Sequence, residues 1–103
     1  SNTMSCNCNK TKRSYHFNVT EVVDNKIQET MSFNFGGHHD LAAMADKVAA
    51  SGTFSKKHAD ELVLGVRLLH HVLKKYPDNE LFKEFAPQLK AFKDSLKGRF
   101  CEG

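Results

Sequence analysis

The 103-residue chain has no tryptophan, only two prolines and six glycines, and just three cysteines. Scarce Pro and Gly exclude collagen-like and Pro-rich linker architectures. The cysteines, Cys6, Cys8 and Cys101, crowd the two ends, and an odd count so placed argues against a disulfide framework. No apolar stretch approaches the roughly 18 residues of a membrane span, so no membrane contact is expected. No charged segment followed by an apolar one opens the chain, so no signal peptide is read, and Ser1-Asn2-Thr3-Met4 reads as an expression scar before a native Met4. What is present is core material: 40 % apolar residues, with eight Phe. A disordered chain lacks such bulk, and the length fits one domain of about 100 residues. The expected setting is cytoplasmic.

The formal net charge of +3 is unevenly placed. Lys10, Lys12 and Arg13 form an acid-free cluster near the start, residues 14–54 are net acidic, and the remainder mixes both signs. A nucleic-acid binder concentrates Lys and Arg on one face. Here Lys56-Lys57 and Lys74-Lys75 stand at opposite ends of a helical stretch, about 27 Å apart at 1.5 Å per residue, and form no single patch. Nucleic-acid binding is therefore not expected.

Residues 1–13 are polar and aperiodic and read as a disordered arm, with 14–98 a single domain and 99–103 a tail. Tyr15, Phe17 and Val19 alternate with polar neighbours, the period of a half-buried strand. Asp24-Asn25-Lys26 supplies turn chemistry, because Asp and Asn tolerate the left-handed conformation. Ile27, Glu29, Met31, Phe33 and Phe35 then form a second alternating run, which completes an antiparallel hairpin. After Gly36-Gly37, with His38, His39 or Asp40 as cap, Leu41, Met44, Ala45 and Val48 keep helical spacing. Ser51-Gly52 ends that helix, and Ser55 caps the next. In the second helix Leu62, Val66, Leu69, Leu73 and Tyr76, with their apolar flanks, cover more than half the circumference, which marks a central helix. Asp78 or Asn79 caps a third, striped by Leu81, Phe85, Leu89, Phe92 and Leu96, kinked at Pro87 and stopped at Gly98. The expected fold is α+β: a two-stranded antiparallel β-hairpin followed by three α-helices packed on one face.

Tyr15-His16-Phe17, Ser32-Phe33-Asn34-Phe35, His39-Asp40-Leu41, Leu64-Gly65-Val66-Arg67-Leu68 and Leu81-Phe82-Lys83-Glu84-Phe85-Ala86-Pro87 resemble a family of short bacterial proteins catalogued only as a domain of unknown function. The resemblance covers nearly everything after the arm. It implies a bacterial, intracellular, stand-alone domain, with no catalytic residues to carry over. Cys6 and Cys8 lie outside it.

The chemistry-bearing residues point away from catalysis. Cys6 and Cys8 could give two thiolates to zinc, with Cys101 or a histidine completing the set, but C-x-C is tighter than the C-x₂₋₄-C of structural sites. His70 and His71 are adjacent on a helix and diverge by about 100°. His70 reads as a core-edge histidine, His71 as lying on the polar side with Arg67, and His38-His39 as a cap or loop. No G-x-S-x-G, Walker loop or G-x-G-x-x-G occurs, so no cofactor is expected. A hairpin and three helices are also expected to leave little volume for a cleft. The expected function is a non-enzymatic protein-interaction or self-association module, with zinc or weak nucleic-acid binding as alternatives. Tyr15, Phe17, Phe33, Leu64 and Leu68 are the residues expected to carry the contact, toward a protein partner or a second copy.

Overall fold

The computed structural model describes residues 11–100. Strand β1 spans Arg13–Val23 and β2 Lys26–Gly37, paired antiparallel. Four helices follow: α1 (Leu41–Ala50), α2 (Lys56–Lys75), α3 (Glu80–Lys83) and α4 (Phe85–Phe100). The α+β class and the order of hairpin before helices stand as expected, with four helices in place of three.

Asp24 and Asn25 have φ of 51° and 66°, the two left-handed positions a tight hairpin turn requires. Lys26 belongs to the strand, opposite Val23, and not to the turn. The shorter turn leaves one residue of β2 to be absorbed, and the register shifts between Val19/Met31 and Thr20/Glu29, bulging Thr30. The Thr30 hydroxyl donates to the Val19 carbonyl at 3.3 Å. A one-residue shift exchanges the two faces of a strand. Ile27 therefore pairs with Val22, on the face opposite Met31, Phe33 and Phe35, and the single apolar face expected of β2 is divided.

Asp40 caps α1: its Oδ1 accepts from the Ala43 amide at 3.0 Å, while Oδ2 meets Arg13 Nη2 at 3.3 Å. Ser55 caps α2 and Asn79 caps α3 through side-chain oxygens. Replacing Asp40 by alanine is expected to lower stability by about 1 kcal/mol, the usual loss for a cap. Asp40→Asn should keep most of that, because the half-exposed ion pair adds only a few tenths of a kcal/mol. Urea unfolding of the two variants separates cap from charge.

The expected kink at Pro87 is a break. A ring at position 87 would clash with the Lys83 carbonyl in a continuous helix. The chain turns at Glu84 instead, which leaves Pro87 in the first turn of α4, where a missing N–H has no intrahelical partner to lose. At the other end α4 runs past Gly98 to Phe100, whose ring meets Phe54 edge-on at 6.5 Å. The Leu81–Leu96 stripe is only partly buried: Leu89 is covered, Leu81 is 78 % exposed, and Phe85 and Phe92 face solvent.

The core joins Phe35 of β2 to Leu41, Ala45 and Val48 of α1 and to Ala59 and Val63 of α2. Small residues at 45 and 59 permit close approach of α1 and α2. Tyr15 and Phe17 of β1 complete the hairpin's contribution.

Candidate functional site

Ala59, Val63 and Arg67 lie four residues apart, one buried line along α2. Arg67 was expected on the polar side, yet only 6 % of it is exposed. Its guanidinium spans two histidines. Nη1 lies 3.2 Å from Nδ1 and 3.0 Å from Nε2 of His39, and Nη2 lies 3.1 Å from Nδ1 of His70. The far nitrogen of His70, Nε2, is 2.7 Å from Nζ of Lys93 on α4.

The backbone around His39 is pinned as well. The Tyr15 hydroxyl donates to the His39 carbonyl at 2.8 Å and accepts from the Leu41 amide at 3.1 Å. The link between β2 and α1 is thus held by a residue of β1, which sets the His39 ring over α2.

Burial sets the protonation of the cluster. It pushes the pKa of His39 down to about 4, and Arg67, Lys93, Lys74 and His38 push the same way. His70 is also lowered to about 4, by burial first, then Lys93, Arg67, Lys74 and His39. Lys93 falls to about 8, by burial and then the charges of Arg67 and Lys74, against a smaller opposing pull from Asp94. Arg67 is lowered by burial and stays charged at neutral pH.

These groups line a cavity of about 240 Å³ between α1, α2 and α4. Its apolar wall comes from residues such as Val48, Val63, Val66 and Leu96. The packing of α1, α2 and α4 thus leaves more free volume than the sequence reading expects. Asp94 is the carboxylate in the lining, and its Oδ2 is held by Lys90 at 3.1 Å.

Of the residues expected to carry contacts, Tyr15, Phe17, Leu64 and Leu68 pack against the protein's own core, and Phe33 stays more open. Leu64 and Leu68 are half-buried and pack against the core, on the helical face where the His71 ring meets Phe35 edge-on at 5.0 Å. Tyr15 is engaged in the β2–α1 link. Phe17 and Phe33 stack across the hairpin at 5.3 Å, with Phe17 half-buried and Phe33 42 % exposed. Beyond them on that face Val19 is 44 % and Met31 55 % exposed. The helices cover the base of the hairpin and leave its outer half bare.

Cys6, Cys8 and Cys101 lie outside the described residues, as does most of the expected arm. Among the described residues no group of three or more His, Cys, Asp or Glu is placed to hold a metal ion, and no helix is long and apolar enough to cross a membrane. Of the basic residues weighed for nucleic acid, Arg13 pairs with Asp40, and Lys56 pairs with both Asp46 and Asp60.

The model of a domain of unknown function with a solved structure, DUF3861, matches residues 13–98. The chain belongs to the DUF3861 family. A crystal structure of a protein of unknown function from Pectobacterium atrosepticum SCRI1043 superposes with a TM-score of 0.72 at 26 % identity, covering 85 % of this chain and 99 % of that one. No curated protein matches at a significant level. In this DUF3861 chain sequence reasoning found His70 at the core edge but missed its link to Arg67, His39 and Lys93. The available signal was the i, i+4 line from Ala59 through Val63 to Arg67, which places a cation where the helix is most buried.

Proposed function

We propose that the chain is a non-enzymatic interaction module of the bacterial cytoplasm that associates with a second copy of itself through the outer half of its hairpin. The observation that supports this is the exposed apolar patch of Val19, Met31 and Phe33, left beside Phe17 on the hairpin. A two-stranded hairpin is marginal in water without a cover. A second copy suits the patch because apolar surface is complementary to itself across a twofold axis, and Glu21 and Lys26 farther along the same face are of opposite sign. The patch is on the order of several hundred Å². That falls short of the roughly 800 Å² per partner of a standard interface, and the two open strand edges supply further main-chain pairing.

Light scattering and sedimentation over a concentration series test the reading. A dimer is expected, and Phe33→Glu should shift it to monomer without changing the far-ultraviolet circular dichroism. A monomer at every concentration, or a dimer indifferent to both Phe33→Glu and Met31→Lys, overturns it.

A further inference from the structure

Beyond the hairpin, the cavity between α1, α2 and α4 holds a charge arrangement that its own side chains do not complete. Arg67 is buried and has no carboxylate partner among the described residues: its guanidinium meets two imidazoles. A buried cation without a counter-charge is costly unless something anionic joins it. Lys93 and Lys97 add positive charge to the same lining, and the carboxylate of Asp94 is occupied by Lys90.

His70 sharpens the point. Arg67 approaches its Nδ1 and Lys93 its Nε2. A neutral imidazole has one acceptor and one N–H, and both an arginine and a charged lysine can only donate. One of the two contacts therefore sets donor against donor whenever Lys93 is protonated. An oxyanion in the cavity that all three groups line accepts from Lys93 or Arg67 in place of a ring nitrogen and so relieves the conflict.

We propose that this cavity binds a small organic oxyanion, its charged head held by Arg67 and Lys93 and its apolar body laid along Val48, Val63, Val66 and Leu96. At about 240 Å³ the space takes roughly eight water-sized groups, the size of a short-chain carboxylate. The lining carries net positive charge, which draws an anion in, and much of the rest of it is apolar, which selects against a fully hydrated ion.

The probe is hexanoate, compared with hexanol and inorganic phosphate, titrated into the full chain and followed by amide and imidazole NMR shifts. Hexanoate should give saturable shifts at His39, Arg67, His70 and Lys93 with a Kd on the order of 1 mM. It should also raise the titration midpoints of both histidines, and hexanol should bind at least tenfold more weakly. Lys93→Met should weaken hexanoate at least tenfold while the protein remains folded. Arg67→Met should do the same and leave the apo thermal midpoint unchanged or higher, because it removes a buried charge at similar volume. Equal binding of hexanol, tighter binding of inorganic phosphate, no saturable shift, or unaltered hexanoate binding by Lys93→Met overturns the assignment.

Discussion

Replacing Phe35 by alanine is expected to lower unfolding stability by about 3 kcal/mol. Phe35 is the strand residue with full membership of the core, joined to Leu41, Ala45 and Val48 of α1 and to Ala59 and Val63 of α2. Its ring also meets Phe17 edge-on at 6.2 Å and His71 at 5.0 Å, so one side chain couples the hairpin to the helices. Removing it deletes the transfer energy of a large ring and leaves a cavity where three elements meet. Against a total stability of about ten kcal/mol or less for a domain of this size, that is a large fraction. The loss should read as a fall in the urea midpoint. Amide exchange should rise first in β1 and β2, because the hairpin has lost its anchor while α1 and α2 still pack on each other. A loss under about 1 kcal/mol, or an even rise in exchange over the whole chain, would show that the hairpin is held by something else.

Acidification is the second large effect. His39 and His70 have folded pKa values of about 4, below the 6.5 of an unperturbed imidazole. The unfolded chain therefore takes up protons from pH 6.5 downward, while the folded chain resists until about pH 4. Stability contributed by the two neutral rings is complete above pH 6.5 and is lost as pH falls toward 4. Both rings keep partial access to water, so the full shift overstates the energy, and on the order of 1 kcal/mol per histidine is expected. Thermal midpoints across pH 7 to 4 at fixed ionic strength should fall, and the double variant His39→Gln, His70→Gln should flatten that window. Lys93, lowered from 10.5 to about 8, has the same sign at the alkaline end: stability should rise as pH passes from 8 toward 10.5. A midpoint that stays level from pH 7 to 5 removes the buried-histidine account.

Much of this architecture could be read along the chain because it depends on neighbours in sequence. The turn needs two residues that tolerate positive φ, and Asp24-Asn25 provides them. The caps at Asp40, Ser55 and Asn79 are short polar side chains just before periodic apolar runs. What failed depends on counting through an irregularity. The bulge at Thr30 reverses the faces of β2 from there to the turn, so Ile27 left the face its parity assigned it. The break at Glu84 likewise follows from where the Pro87 ring would have met the Lys83 carbonyl.

The amino-acid order by itself thus determined a hairpin, the starts of the helices and the apolar lines that pack, since strand alternation, helical period and capping are local rules. Tertiary structure alone decided which surfaces those elements cover. It turned Leu64 and Leu68 inward beneath the hairpin's own base and left Val19, Met31 and Phe33 bare. It also buried Arg67 between two histidines that lie 28 and 3 residues away. Periodicity marks the faces of a helix. Whether a cation on such a face meets water or a second helix is settled by long-range packing, because burial is a property of what lies opposite.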